Sequence, residues 1–413
     1  MIKIFHNNYN INNITFKILG SKSISNRLLL LSKINNNIKI KNLSNSDDTI
    51  LLKNILKNNK KYINVKNSGT IIRFLITYFT FLKKKNIILY GINRMYKRPI
   101  EKLIKALINI GGNYIYLKNI NYPPIKIKKF KFLKKNIYIN SNISSQYISS
   151  LLLSSSLLNK KIKIILKNKI ISSPYIKMTF LIIKYILKNI YIKKNIFFIN
   201  KRKKKKNIYF NIESDWSSIS YYYSLSILFK KFNIKVGYFF KNSLQGDSII
   251  YKIFYKYFNI LTLFNNKYIN IIKKNKKIYI KNIYLNLNKY PDIAQTIVVI
   301  LAILKKKFYI EGLDTLNIKE TNRLKALKNE LKKIGVITVI NYSSIRLIKY
   351  INFNKKKNNI IKTYNDHRMA MSFIPVCLIY KNFYIDNYNV VKKSYPNFWK
   401  DLKKCKFFIK KYE

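Results

Sequence analysis

The chain has 413 residues, with 82 Lys and Arg against 15 Asp and Glu, for a formal net charge of +67. That length excludes one ordinary core, and two domains of about 200 residues each are expected. Lys, Asn, Ile, Tyr and Phe are abundant together while Gly (9) and Pro (7) are scarce, which is the footprint of very AT-rich codons rather than of a nucleic-acid interface. The basic runs at 83–85, 201–206 and 355–357 fall between periodic segments and are expected to be solvated loops. Cys377 and Cys405 lie far apart without metal-ligand spacing, so neither a disulfide framework nor a zinc site is indicated, and a reducing cytoplasm fits. The longest apolar stretches, 71–82 and 293–304, stop well short of the ~20 residues that span a bilayer. They are expected to be core helices. Residue 1 lies close to the first expected strand, which leaves no room for a leader segment.

In chain order, Ile14-Thr15-Phe16-Lys17-Ile18 alternates as a strand does. Gly20-Ser21-Lys22-Ser23-Ile24-Ser25-Asn26-Arg27 follows, crowding two cations and three hydroxyls onto the start of an apolar helix. A helix N-terminus presents free N–H groups and partial positive charge, so this turn suits phosphate or carboxylate. Periodicity predicts about twelve helices, starting near Ser25, Asp47, Gly69, Pro99, Ser144, Pro174, Ser217, Asp247, Asp292, Glu320, Asp366 and Pro396. The helix from Pro99 has Pro in its first turn, Ile100, Leu103, Ile104, Leu107 and Ile108 on one face, and Gly111 placed to stop it. Helices alternate with strand-like runs, six in each half, which suggests one αβ unit repeated three times per domain.

Alternate helices open on small hydroxyl or acidic residues: Ser21 and Ser25, Ser68-Gly69-Thr70, Ser144-Ser145-Gln146, Ser217-Ser218, Asp292 and Asp366. Each alone reads as a helix cap worth about 1 kcal/mol. Together with Arg98 before Pro99, Lys319-Glu320-Thr321-Asn322-Arg323 and Asn365-Asp366-His367-Arg368, they describe a site that binds anions and moves protons. A carboxylate held between cations stays ionised and can serve as base or acid.

These phrases, with Tyr122-Pro123-Pro124, Ser173-Pro174-Tyr175, Asp215-Trp216-Ser217-Ser218, Leu244-Gln245-Gly246-Asp247 and Pro291-Asp292, occur in an order that resembles the 5-enolpyruvylshikimate-3-phosphate (EPSP) synthase family over nearly the whole chain. The resemblance implies an α/β fold of two inverse αβ barrel domains, the enolpyruvyl transferase fold, with three βαβαββ units per domain. Residues 1–19 with 214–413 would form one domain and 20–213 the other, with the active site in the cleft between them. It implies transfer of the enolpyruvyl group of phosphoenolpyruvate to the 5-hydroxyl of shikimate 3-phosphate, with no metal or organic cofactor, no specific nucleic-acid partner, no membrane association, and a cytoplasmic monomer.

By the same resemblance, Lys22, Ser23, Arg27, Ser144, Ser145, Gln146, Ser172, Tyr175, Asp292, Thr315 and Lys319 would hold shikimate 3-phosphate. Lys22, Asn67, Gly69, Arg98, Gln146, Arg323, Arg368 and Lys393 would hold phosphoenolpyruvate. Asp292, Glu320, Lys22 and His367 would be catalytic, with the assignment of each proton to Asp292 or Glu320 left open. Asp292 as a plain helix cap and His367 as a structural histidine are the bland alternatives.

Three departures from the family pattern stand out. Thr315 replaces Asn, Asn322 replaces an Asp beside Arg323 and so removes a charge partner, and Phe74 replaces Pro after Arg73, which could shift the helix carrying Gly69. A UDP-aminosugar enolpyruvyl transferase is the nearest rival, but its reactive loop Cys is absent where Tyr96 and Lys97 stand. A basic RNA-binding protein without catalysis is a second rival, and no RNA-recognition signature accompanies the interleaved Lys and aromatics.

Overall fold

The structure is a computed structural model that describes residues 1–7, 10–58, 60–84, 86–142, 144–168, 170–201, 207–274, 282–351, 359–380 and 382–412. The expected loop run at 355–357, most of that at 201–206, and Lys85 lie outside the described residues. The chain divides into two compact units: Met1–Ser21, Asn45–Asp47 and Glu213–Glu413 form one, Lys22–Ser44 and Asp48–Ile212 the other.

Among the described residues there are twelve α-helices: α1 Lys22–Ile34, α2 Asp47–Lys57, α3 Gly69–Phe81, α4 Glu101–Ile108, α5 Ser145–Ser155, α6 Ser173–Leu187, α7 Trp216–Ser226, α8 Ile249–Phe258, α9 Ala294–Ile303, α10 Arg323–Lys333, α11 His367–Ser372 and α12 Phe398–Lys404. The two longest apolar stretches become α3 and α9. Every residue of α9, and every residue of α3 except Thr70, is buried, as expected of a helix that is apolar all round.

The sheets repeat one order. Tyr62–Asn64 runs parallel to Ile87–Tyr90, which pairs antiparallel with Ile125–Ile127, and that with Tyr114–Tyr116. In order of sequence this is first, second, fourth, third, with α3 and α4 in the two crossovers. The strands Asn136–Asn140, Ile162–Lys167, Ile196–Ile199 and Ile190–Lys193 repeat it with α5 and α6. So do Asn282–Asn286, Lys307–Glu311, Ser344–Tyr350 and Val336–Ile340 with α9 and α10. Two further sheets complete the pattern with early strands. Asn10–Lys17 stands first, parallel to Lys231–Gly237, and Ile2–Phe5 stands fourth, between Phe383–Ile385 and Phe408–Lys411. In the remaining sheet Ile38–Lys41 runs parallel to Ile208–Asn211. This is the βαβαββ repeat that the resemblance implies.

Several helix starts differ from the periodicity, each for a local reason. The helix expected from Pro99 begins at Glu101: Arg98, ahead of proline, is extended at φ −100°, ψ 113°, and Ile100 at φ −128°, ψ −1° is not yet helical. Short 3₁₀ turns, Gly246–Ser248 and Pro291–Ile293, precede α8 and α9. Gly111 has φ +104°, and a Cβ there would meet the Lys131 carbonyl oxygen at 1.7 Å, so only glycine fits. Phe74 leaves α3 unbroken, since unlike proline it keeps its N–H in the helix.

Candidate active site

In the second unit the phrase around Lys22 is a strand-to-helix turn, and α1 begins at Lys22 itself. Lys22 Nζ donates to Asp48 Oδ2 at 3.2 Å. Ser25 Oγ accepts from the Ser44 amide at 3.0 Å, and Asn26 Oδ1 accepts from Thr49 Oγ1 at 2.8 Å, so two of the motif's polar residues bond neighbouring segments of their own unit. Arg27 is buried. Its Nε donates to Thr179 Oγ1 at 2.6 Å, Nη1 to the Ser23 carbonyl at 2.7 Å and Nη2 to Ser149 Oγ at 3.2 Å. Its guanidinium carbon lies 5.6 Å from the centre of the Phe74 ring. Burial lowers its pKa to about 10, partly opposed by Tyr175, so it remains a cation at neutral pH.

Asn67 and Ser68 lead into α3, where Ser68 Oγ caps the helix by accepting from the Ile71 amide. Gly69 is shaped by Arg98: a Cβ built on it would lie 2.3 Å from the Arg98 guanidinium carbon. Arg73, one turn into α3, gathers the surrounding segments. Nη1 donates to the Gly69 carbonyl at 3.2 Å and to Gln146 Oε1 at 2.6 Å, and Nη2 donates to the Pro99 carbonyl at 3.3 Å. Gln146 Nε2 donates in turn to Thr70 Oγ1 at 2.9 Å. Ser144 caps α5 by accepting from the Gln146 amide, with Ser145 behind it, while Ser172 adopts φ +51° to lead Pro174 and Tyr175 into α6. The anion-binding candidates of this unit therefore stand at the starts of α1, α3, α5 and α6, joined by Arg27 and Arg73.

In the first unit, Asp292 does not cap α9. The capping position is Ile293, and Asp292 sits in the preceding 3₁₀ turn with its carboxylate given over to cations. Arg368 Nη2 lies 3.1 Å from its Oδ2, and Lys319 Nζ and Arg323 Nη1 each lie 3.5 Å from its Oδ1. Arg368 Nη1 also donates to the Asp292 carbonyl at 2.5 Å. Glu320 lies in the bend before α10, with Arg323 Nη2 at 3.0 Å and Lys393 Nζ at 3.2 Å. Glu320 is thus set between Arg323 and Lys393, and Lys319, its sequence neighbour, pairs instead with Asp292.

Burial alone would push the Asp292 carboxyl up. Arg368, Lys319 and Arg323 together outweigh that, against a smaller upward push from Glu320, and hold it well below the usual carboxylate range. Arg323 is buried, and Asp366 and Glu320 raise its pKa despite desolvation. Asp366, fully buried, accepts from Arg323 Nε at 2.7 Å and caps α11 by accepting from the Arg368 amide at 2.9 Å. His367 is buried beside it, with Nδ1 3.8 Å from Asp366 Oδ1.

Of the departures, Asn322 caps α10 by accepting from the Lys325 amide, and Arg323 has three carboxylates without an Asp at 322. Thr315 Oγ1 is buried with no partner among the described residues. No group of three or more His, Cys, Asp or Glu among the described residues is arranged to hold a metal ion.

Asp292 and Glu320 share Arg323 with Asp366 and are flanked by Lys319, Arg368 and Lys393, an arrangement chemically suited to holding anions beside groups that exchange protons. Comparison with known proteins decides the family. Residues 52–402 match the family model described as EPSP synthase (3-phosphoshikimate 1-carboxyvinyltransferase). A Bacteroides fragilis (strain YCH46) protein named 3-phosphoshikimate 1-carboxyvinyltransferase is 35% identical over 397 residues, 96% of each chain. The chain belongs to the EPSP synthase family. A second EPSP synthase relative, from Buchnera aphidicola subsp. Acyrthosiphon pisum (strain 5A), is 37% identical over 416 residues, covering 92% of this chain and 94% of its own. The solved EPSP synthase of Acinetobacter baumannii superposes with a TM-score of 0.72 at 16% identity over 99% of both chains. The enolpyruvyl transferase NikO of Streptomyces tendae does so with 0.72 at 10% identity over 99% of this chain and 98% of its own. At such identities these two structures speak to the fold alone.

Motif reading of an EPSP synthase missed the partners that hold the named residues: Asp48, Arg73, Ser149 and Thr179. Arg73 carried a signal, since a lone arginine inside an apolar helical run is buried only with partners. Ser149 and Thr179 carried none.

Proposed function

We propose that the chain transfers the enolpyruvyl group of phosphoenolpyruvate to the 5-hydroxyl of shikimate 3-phosphate and releases inorganic phosphate. The observation that carries this reading is the Asp292–Arg323–Glu320 arrangement flanked by Lys319, Arg368 and Lys393. In the addition step the 5-hydroxyl oxygen bonds to C2 of phosphoenolpyruvate, its proton passes to a base, and C3 gains a proton. In the elimination step C3 loses a proton, the C2–O bond to phosphate breaks and the double bond re-forms. Asp292 and Glu320 are the groups proposed for these transfers, with Lys22 and His367 assisting.

Asp292 is a weak base while three cations hold it, and an anionic substrate that draws on those cations raises its basicity where the hydroxyl arrives. Ser23, Arg27, Ser144, Ser145, Gln146, Ser172, Tyr175, Thr315 and Lys319 are proposed to position shikimate 3-phosphate. Asn67, Gly69, Arg98, Arg323, Arg368 and Lys393 are proposed for phosphoenolpyruvate, with Lys22 and Gln146 reaching both. A cytoplasmic monomer belongs to the same proposal.

The test is phosphate release from the purified chain, requiring both substrates, beside Lys22→Met and Asp292→Ala. A folded but inactive wild type, or variants as active as wild type, would sink the assignment.

A further inference from the structure

Glu330 is a carboxylate that the proposed chemistry does not use, in a chain with only 15 acidic residues, and it is fully buried on α10. Its Oε1 accepts from the Tyr364 hydroxyl at 2.7 Å, and its Oε2 accepts from the Lys362 amide at 3.0 Å and from Lys333 Nζ at 2.6 Å. Lys333 also donates to the Ile360 carbonyl at 3.0 Å. The segment so gripped is unusual. Tyr364 and Asn365 are consecutive residues with φ of +54° and +56°, a conformation that a bulky side chain adopts only when its surroundings impose it. The segment leads directly into Asp366, His367 and Arg368.

Arg323 opens the same helix, seven residues and about two turns before Glu330, on the same face. Arg323 holds Asp366 and Glu330 holds Tyr364, so α10 grips this loop at two points. Asp386 adds a third, accepting from the Thr363 amide at 2.9 Å. The burial and the Glu330 carboxylate push the Tyr364 hydroxyl up to about 12, so it remains a donor through the physiological range.

We infer that Glu330 and Tyr364 are positioning residues for the reaction: their hydrogen bond holds the left-handed turn that sets Arg368 against Asp292 and Asp366 against Arg323. Loss of either lets the turn relax, and the two arginines proposed for phosphoenolpyruvate drift from their shared carboxylates while the shikimate 3-phosphate groups on α1, α5 and α6 are untouched. The inference rests on the functional reading above for which substrate is affected, but not for the geometry.

The experiment uses Tyr364→Phe, Glu330→Gln and Glu330→Ala in the full chain, with steady-state kinetics, amide hydrogen exchange and thermal melting. Tyr364→Phe is expected to raise KM for phosphoenolpyruvate about tenfold and leave KM for shikimate 3-phosphate within about twofold. It is also expected to speed exchange at residues 366–368 about tenfold. Glu330→Gln, which keeps one accepting oxygen for Tyr364 but turns an NH2 toward the Lys362 amide and Lys333, recovers part of this relative to Glu330→Ala. Adding Tyr364→Phe to Glu330→Ala has no further effect, because the pair acts as one unit. The inference is overturned if exchange at 366–368 stays at the wild-type rate, or if both KM values rise together in step with Tm. Turnover by the wild type reports separately on the proposed function, and the exchange readout needs no turnover.

Discussion

Gly69 and Arg98 show how narrowly one position is set. The Arg98 guanidinium occupies the space a Cβ at Gly69 would need, so Gly69→Ala has to displace the arginine. A shift of about 1 Å in such a group can cost on the order of 10²-fold in turnover, and Gly69→Ala is expected to lose kcat/KM for phosphoenolpyruvate on that scale with little change in Tm. Steady-state kinetics with each substrate varied in turn checks this. Asp292 makes a second case. Its folded pKa lies below its ordinary value of 3.8, so the stability it contributes is complete above about pH 4 and is lost as pH falls toward the folded value. Arg368→Gln removes the strongest of the cations opposing desolvation. That variant's acid unfolding midpoint should therefore move to higher pH, as followed by circular dichroism; an unchanged midpoint would show that Lys319 and Arg323 suffice.

Elements differ in how much of them sequence alone declares. Helices were legible because a cap and a 3.6-residue pattern are local. Ser68 and Ser144 stand at the helix starts where their spacing predicted them. The pairing of charges was not legible, because Glu320 meets Lys393 and Lys319 meets Asp292 only after distant segments come together. The two kinds of helix start also differ in energy. Ser68→Ala removes one neutral side-chain cap from α3 and is expected to cost about 1 kcal/mol. Asp366→Ala removes the cap of α11 and also strips the buried Arg323 of its closest partner, for which about 3–5 kcal/mol is expected. Urea unfolding of the two variants compares them, and equal losses would mean that Glu320 and Asp292 already satisfy Arg323.

At the scale of the whole molecule the charge of +67 has two faces. Many lysines lie along aromatic rings on sheet faces, such as Lys235 at 4.3 Å from the centre of Tyr268 and Lys167 at 4.9 Å from that of Tyr138. Their stems cover apolar surface while their heads stay wet, so the interleaving of Lys and aromatics has a structural use. The acids that remain are concentrated where a partner requires them: Asp48, Glu213, Asp215, Asp247, Glu330, Asp366 and Asp401 are all buried. So few anions leave the cations mostly unopposed, and mutual repulsion burdens the folded state. Raising NaCl from about 0.05 to 0.5 M shortens the Debye length severalfold, and Tm is expected to rise with it. A falling Tm would show that attractive surface pairs outweigh the repulsion.

Strands 2–5 and 10–17 are made well before the strands that their sheets need, 383–385, 408–411 and 231–237. During synthesis these two early strands must therefore wait with open edges while 22–212, whose strand partners all lie within that stretch, is free to form. Ribosome-bound chains cut short before residue 408 would keep the first strand half-paired, and that interval is when such a chain is most exposed to aggregation and most in need of a chaperone.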